Sequence, residues 1–249
     1  MNIAVCVKQV PDTETKIKIS GDKKTIEESD INFILNPYDE FAVEEALKIA
    51  EKSGGEVTII SLGPDRVTSA IRSALAMGAK AAIHIKSDHN PSDPGAVADG
   101  LAHVLKEGNY DLILTGKQAV DDDHTQVPSL LAEKLNIPAI NVVVKLDVDG
   151  NTVKAEREVE GAHEIVECST PCIISAQRGL NEPRYAALKG IMAAKKVQIV
   201  QKEADISNNQ IEIIEYNYPA EKAPGKIVGD SADAVPELLR LLNEEAKVI

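Results

Sequence analysis

The chain has 249 residues, of which 43% are hydrophobic, so it contains enough apolar material for one α/β domain or one domain with an appendage. Its formal net charge of −13 argues against a general affinity for nucleic acids or anionic membranes, because phosphate contacts depend on clustered Lys and Arg. Aromatic residues make up only 3%, which predicts an aliphatic core such as a parallel sheet covered by helices.

The first two-thirds of the chain alternates short β-branched runs with amphipathic stretches. Strands are predicted over residues 3–7, 57–62, 81–85 and 111–115, and helices over 39–52, 68–77, 96–106 and 126–135. This alternation is typical of right-handed βαβ units. The sequence therefore predicts an α/β fold in which a parallel sheet has helices on both faces.

The pattern changes after Pro138. Two apolar runs flank Asp149-Gly150, a dipeptide typical of the turn of an antiparallel β-hairpin. Further strands are predicted over 164–167, 172–176 and 197–200, and helices over 188–196 and about 232–246. The segment beyond residue 195 has too few apolar residues to fold alone. We expect an α/β domain over residues 1–194 and an extended C-terminal arm over 195–249 that packs on another chain.

The cysteines and the hydropathy pattern bear on metal binding and location. Cys6, Cys168 and Cys172 lack the additional ligands of a zinc site and the dense, even set of a secreted disulfide framework. We expect structural thiols and no metal site.

No signal peptide is recognisable and no apolar run approaches the ~20 residues that span a bilayer. These features predict a cytoplasmic protein without direct membrane insertion.

Loops that follow the predicted parallel strands are the candidate ligand site, because ligands bind outside the carboxyl ends of such strands. The loop over 116–126 is the most informative of them. Gly116 allows a ligand to approach the backbone, and the helix that follows offers free N–H groups to an anion. Thr125 and Gln126 add side-chain hydrogen bonds near the start of that helix.

Three consecutive aspartates, Asp121–Asp123, leave alternatives open. In a nucleotide site they cap backbone amides or accept hydrogen bonds from ribose hydroxyls and an adenine amino group. They also fit a solvated acidic turn without a ligand. A Mg²⁺ or Ca²⁺ site is disfavoured, because cation loops typically place their ligands at alternate positions. The chain shows neither a glycine-rich dinucleotide motif nor a phosphate-binding P-loop nor a legible triad, so no catalytic residue is predicted.

Several ordered motifs resemble the β subunit of electron transfer flavoproteins. They are residues 5–12 (VCVKQVPD), 36–39 (NPYD), 74–79 (ALAMGA), 116–126, and 181–185 (NEPRY) followed by Ile191-Met192. The resemblance runs in the same order from the first strand to about residue 200. It implies a Rossmann-like adenine-nucleotide-binding fold and a heterodimer with an α subunit that holds most of the FAD.

The resemblance also implies a cofactor for this chain, since electron-carrying members bury a structural AMP in the β subunit. The residues implied to contact AMP are Cys6, Asn36, Pro37, Tyr38, Asp39, Leu62, Gly116, Lys117, Gln118, Ala119, Val120, Asp121, Asp122, Asp123, His124, Thr125, Gln126 and Val127. In an electron-bifurcating branch, FAD replaces AMP and NADH is oxidised. The acidic loop is closer to the AMP type, although Thr125 stands where that branch often has Asn.

The segment over residues 181–192 resembles the loop by which the family docks on dehydrogenases, inserting a leucine. Leu188 is the matching position, and its expected docking neighbours are Arg184, Tyr185, Ile191 and Met192. The alternative is that Leu188 belongs to the core of a short helix.

The activity that the resemblance implies is electron carriage rather than enzymatic catalysis. Electrons pass from flavin dehydrogenases, such as acyl-CoA dehydrogenases, to a membrane quinone oxidoreductase. A ligand sensor of the nucleotide-binding α/β type is a further alternative, against which the C-terminal arm and the docking-type loop both count.

Overall fold

The structure is a computed structural model that describes residues 1–89, 91–203, 206, 209–221 and 224–249. It divides into two compact units, Met1–Glu215 and Tyr216–Ile249. The strands of the first unit are β1 (Asn2–Cys6), β2 (Gln9–Pro11), β3 (Phe33–Leu35), β4 (Glu56–Gly63), β5 (Ala81–Lys86), β6 (Leu112–Gly116), β7 (Ala139–Asp149), β8 (Thr152–Val159), β9 (Ala162–Ser169), β10 (Cys172–Ala176) and β11 (Ile199–Lys202). Its helices are α1 (Pro37–Ser53), α2 (Thr68–Met77), α3 (Pro94–Leu105), α4 (Val127–Leu135) and α5 (Leu188–Ala194).

A nine-stranded sheet in the order β11-β5-β4-β1-β6-β10-β7-β8-β9 forms the centre of the first unit. Neighbours from β11 to β7 run parallel, whereas β7-β8 and β8-β9 pair antiparallel. The predicted α/β fold class with a hairpin addition is confirmed. At the predicted turn, Gly150 adopts a φ of 56°, a left-handed conformation that glycine tolerates best.

The two faces of the sheet carry separate apolar cores, because successive residues of a strand point to opposite faces. In β1, Ile3 and Val5 join the core formed with α1 and α2, while Ala4 and Cys6 join the core formed with α3 and α4. Helices therefore cover both faces, as the run of buried positions in β1 requires.

The chain connectivity creates a gap at the carboxyl end of the sheet. From β1 the chain passes to β4 and β5 on one side, and it later returns to β6 on the other side of β1. The loops that follow β1 and β6 therefore diverge. This is the switch point at which open α/β sheets bind ligands.

Strand β11 extends the first unit beyond the boundary expected at residue 194. Residues of β11 pair in parallel with β5 at the edge of the sheet, so the first unit continues to Glu215. The short pair β2-β3 lies between the predicted strand over 3–7 and the predicted helix over 39–52, where the sequence analysis predicts no strand.

The second unit contains the short helix α6 (Val235–Arg240), followed by a π-helical turn over Leu241–Glu245. None of its described residues is buried. No described helix of the chain has the length and apolar character needed to cross a membrane.

Candidate functional site

A cleft opens at the switch point between the carboxyl ends of β1 and β6. Its empty space is about 790 Å³, including the mouth that is open to solvent. The predicted residues that line it are Cys6, Asn36, Asp39, Leu62, Gly116, Lys117, Gln118, Ala119, Asp122, His124 and Val127. The loops chosen from the sequence therefore meet at one site.

Some predicted residues lie beside the lining rather than in it. They are Pro37, Tyr38, Val120, Asp121, Asp123, Thr125 and Gln126. Conversely, the sequence analysis missed Val7, Lys8, Pro91, Ser92, Pro94, Val97, Leu101, Thr115 and Pro128, which do line the cleft. The carboxyl-end rule for parallel strands, applied also to β5, would have indicated the segment around Pro91–Pro94.

Asp39 joins the ends of the two strands that border the cleft. Its Oδ2 accepts a hydrogen bond from the backbone N–H of Lys8 at 2.7 Å, and its Oδ1 accepts from the N–H of Gly116 at 3.0 Å. Burial raises the pKa of Asp39 to about 7, while these N–H donors oppose the rise. A Cβ on Gly116 would collide with Asp39 and Tyr38, so glycine is required here by the approach of α1.

Asn36 attaches the segment before α1 to the loop over residues 116–126, which we call the nucleotide loop because the sequence analysis predicts a nucleotide site there. The Asn36 side chain is 1% exposed. Its Nδ2 donates to the carbonyl oxygen of Gln118 at 2.9 Å, and its Oδ1 accepts from the N–H of Val120 at 3.2 Å. The Asn36 amide thus satisfies the carbonyl oxygen of Gln118 and the N–H of Val120, as the backbone of a neighbouring β-strand would.

The aspartates of the nucleotide loop bind to the protein itself. Lys8 Nζ lies 2.7 Å from Asp121 Oδ1 and 2.8 Å from Asp122 Oδ2. Burial lowers the pKa of Lys8, but the two carboxylates outweigh that effect and the net direction is upward. Asp123 accepts from Gln118 Nε2 at 2.5 Å. Across the described residues, no group of three or more His, Cys, Asp and Glu is arranged to hold a metal ion.

The N-termini of the two helices that border the cleft differ. At α3, Asp93 accepts a hydrogen bond from the N–H of Gly95 and caps the helix. At α4, no described side chain forms such a cap, and its first residues, Val127 and Pro128, line the cleft. The free N–H groups and the helix dipole therefore favour a negatively charged ligand group at α4.

Cys6 contributes an apolar surface to the cleft. Burial, and secondarily the nearby Asp39, raises the pKa of the Cys6 thiol to about 12, so the thiol is neutral near pH 7 and unreactive. Cys168 and Cys172 are also free thiols, and burial raises the pKa of Cys172.

The predicted docking segment divides into an anchored part and an exposed part. The Arg184 guanidinium donates hydrogen bonds to two glutamates of α1. Its Nε lies 2.7 Å from Oε2 of Glu44, and its Nη1 lies 2.6 Å from Oε1 of Glu51. Leu188 is 76% exposed and therefore is not part of the core. The other exposed large hydrophobic side chains of this segment are Tyr185, Ile191 and Met192.

Comparison with known proteins is consistent with this geometry. The family model described as "Electron transfer flavoprotein domain" matches residues 23–207. The chain is 40% identical to the electron transfer flavoprotein subunit beta of Bacillus subtilis, with 100% of each chain covered. It is 40% identical to the subunit of the same name from Syntrophomonas wolfei, covering 94% of this chain and 92% of the relative, and 39% identical to that of Bradyrhizobium diazoefficiens, with full coverage of both. The chain therefore belongs to the electron transfer flavoprotein family, as a β subunit.

Proposed function

We propose that this chain is the β subunit of a heterodimer that carries electrons from flavin dehydrogenases, such as acyl-CoA dehydrogenases, to a quinone oxidoreductase. In this proposal it binds AMP, and the α subunit holds most of the FAD. The cleft at the switch point is the structural observation that carries the AMP assignment, because its lining suits a nucleotide. The cytoplasmic location expected from the sequence stays a prediction.

The cleft has a polar end and an apolar end that match the two ends of AMP. The uncapped N-terminus of α4 provides N–H groups for the phosphate. Leu62, Val97 and Leu101 provide an apolar wall for the adenine ring. Lys8 forms ion pairs with Asp121 and Asp122, which reduces the repulsion that these carboxylates would exert on a phosphate.

Two exposed apolar surfaces support roles in assembly. The second unit exposes apolar side chains that include Leu238 and Leu239, which suits packing against an α subunit. In the first unit, Leu188 projects from the start of α5, where a partner dehydrogenase can bury it as an anchor. The chain itself then provides binding sites, and the redox chemistry belongs to the flavins.

The decisive test is the nucleotide content of the heterodimer. The chain is co-expressed with its α subunit, the purified complex is denatured, and released AMP and FAD are quantified by chromatography. One FAD and one AMP per heterodimer are expected. Two FAD and no AMP would contradict the AMP assignment and favour the electron-bifurcating alternative, for which NADH oxidation is the next assay.

A further inference from the structure

Two buried side chains that line the cleft form hydrogen bonds with the protein backbone and with each other. The Asn36 amide binds Gln118 and Val120 of the nucleotide loop, and the Asp39 carboxylate binds the N–H groups of Lys8 and Gly116. Both side chains are almost fully buried, at 1% and 4% exposure. Their hydrogen-bonding atoms are therefore directed at the walls of the site.

The chemistry of each side chain matches the backbone groups that it meets. Asn36 faces one carbonyl oxygen and one N–H, which requires a group that both donates and accepts. Asp39 faces two N–H groups, which requires a group that only accepts. Exchanging Asn for Asp, or Asp for Asn, keeps the shape of the side chain and reverses the polarity of one contact.

The two contacts act on the same part of the cleft. Asp39 fixes Gly116, where β6 ends and the nucleotide loop begins, and Asn36 fixes the loop two and four residues later. Both residues stand at the start of α1, which is packed against β6. The first residues of α1 therefore hold the loop through hydrogen bonds to its backbone.

We propose that Asn36 and Asp39 are positioning residues that hold the nucleotide loop in its ligand-binding shape through hydrogen bonds to its backbone. The inference rests on the proposed nucleotide-binding function and deepens it. A loop that already has its bound shape avoids the entropy cost of ordering when the ligand arrives. The two side chains thereby increase nucleotide affinity without depending on contacts of their own with the nucleotide.

The test uses the intact heterodimer at pH 8 and the variants Asn36→Asp and Asp39→Asn. Two quantities are measured: amide hydrogen exchange in peptides covering residues 116–126, and the rate of AMP release after dilution. Each variant is expected to accelerate exchange in that loop and to accelerate AMP release by about tenfold or more, because each leaves a buried backbone group unsatisfied. The FAD content is expected to stay at the wild-type value, which reports an intact complex.

Matched controls come from the opposite end of β1. Asn2 Nδ2 donates to the carbonyl oxygen of Gly108 at 3.1 Å, and Asp111 Oδ2 accepts from the N–H of Asn2 at 2.6 Å. Asn2→Asp and Asp111→Asn therefore make the same chemical changes at backbone-binding side chains outside the cleft. We expect both controls to keep wild-type exchange in the nucleotide loop and wild-type AMP release.

A third variant removes the contact between Asn36 and Val120 by changing the loop instead of α1. It keeps the test informative if the variants at the buried positions Asn36 and Asp39 misfold. Val120→Pro deletes the N–H that binds Asn36 Oδ1 and leaves both proposed positioning residues in place. It is expected to reproduce the faster exchange of Asn36→Asp. Wild-type exchange in the loop of Val120→Pro and of the folded Asn36 and Asp39 variants would overturn the inference.

Hydrogen exchange separates this inference from the proposed function. If the wild-type heterodimer holds no AMP and the variants still accelerate loop exchange, the AMP assignment fails and the positioning role stands. If the wild type holds AMP and the variants release it at the wild-type rate with unchanged exchange, the AMP assignment stands and the positioning role fails.

Discussion

Asp39 shows how burial and hydrogen bonding oppose each other at a single residue. Removal from water disfavours its charged form, whereas the N–H groups of Lys8 and Gly116 favour that form. Burial is the larger effect and raises the pKa to about 7 from an ordinary value of 3.8. The folded protein therefore binds a proton at Asp39 more tightly than the unfolded chain does.

This difference makes stability depend on pH. Because the folded-state pKa is raised, the stabilisation by the Asp39 proton is complete below pH 3.8 and is lost as pH rises to about 7. Between these limits, wild type is expected to gain about 1.4 kcal/mol in the free energy of unfolding relative to Asp39→Asn for each pH unit of acidification. Urea unfolding of both heterodimers at pH 5, 6, 7 and 8 measures the difference. A difference that stays constant over this range would show that Asp39 remains ionised throughout.

Leu188 provides a second prediction at the residue scale. Replacing this 76% exposed side chain by Ala removes apolar area that a partner can bury, without creating a cavity in the core. We expect reduction of the heterodimer by a flavin dehydrogenase to slow by about tenfold or more at subsaturating concentrations, with AMP and FAD content unchanged. Stopped-flow reduction of the FAD measures this rate.

The matched control for Leu188→Ala is Ile165→Ala, because Ile165 is similarly exposed on strand β9. It is expected to keep the wild-type rate. Equal rates for Leu188→Ala and wild type would rule out Leu188 as a docking anchor.

The residues of the site were only partly predictable. The loop that follows β6 was identified because the carboxyl-end rule needs only strand order and loop position, whereas Cys6, Leu62 and residues 36–39 were named from the family resemblance. The ion pairs of Lys8 with Asp121 and Asp122 were not identified, because they join side chains more than 110 residues apart in the chain. The same holds for Asn36 and the nucleotide loop, whose pairing depends on the tertiary fold.

At the scale of elements, the packing of α5 on α2 depends on a glycine. A Cβ on Gly190 would collide with the backbone carbonyl of Ala76 in α2. Arg72 of the same helix donates hydrogen bonds to the carbonyl oxygens of Ala194 and Val197, at and just beyond the end of α5. The close packing of α5 on α2 therefore fixes the position of α5, from which Leu188 projects.

Gly190→Ala is expected to destabilise the protein by about 1–3 kcal/mol, since the added methyl group must force the two helices apart. This cost exceeds the gain of about 0.5–1 kcal/mol that Ala provides over Gly within a helix. Urea unfolding of the purified heterodimer measures the change.

Gly21→Ala is the control, because a Cβ at Gly21 meets no atom within 4 Å. Its free energy of unfolding is expected to stay within about 0.5 kcal/mol of wild type. A stabilised Gly190→Ala would show that α5 can shift away from α2 without loss.

The parallel strands and long helices were predictable because their apolar positions recur with a clear period. The segment of β11 was predicted as a strand, but the sequence analysis assigned it to the C-terminal arm. Only its pairing with β5 shows that it belongs to the sheet. Strands β2 and β3 have three residues each, which is too short for a period to be visible. Tertiary pairing, rather than local sequence, determines these elements.

At the scale of the whole molecule, the second unit lacks a core of its own. Its described residues are all at least partly exposed, and its exposed large hydrophobic side chains are Tyr216, Tyr218, Ile227, Val235, Leu238, Leu239, Val248 and Ile249. A unit shorter than about 40 residues usually needs a disulfide, a metal or another chain for stability. The sequence analysis expected a longer segment, residues 195–249, to be unable to fold alone, because apolar residues are too sparse there to offset the entropy of ordering the chain. That this segment packs on another chain stays a prediction.

Leu239→Glu tests whether an α subunit covers this unit. A charge placed where Leu239 would be buried in a complex must be desolvated without a partner, which weakens association strongly. We expect the affinity for the α subunit to fall by about tenfold or more, while the stability of the Met1–Glu215 unit stays within about 0.5 kcal/mol of wild type. Titration with purified α subunit, followed by size-exclusion chromatography, measures the affinity, and urea unfolding of the free β chain measures the stability.

Ile165→Glu introduces the same charge at an exposed apolar side chain of the first unit and is expected to assemble normally. If Leu239→Glu also assembles with wild-type affinity, helix α6 lies outside the heterodimer interface, and another surface of the chain must bind the α subunit.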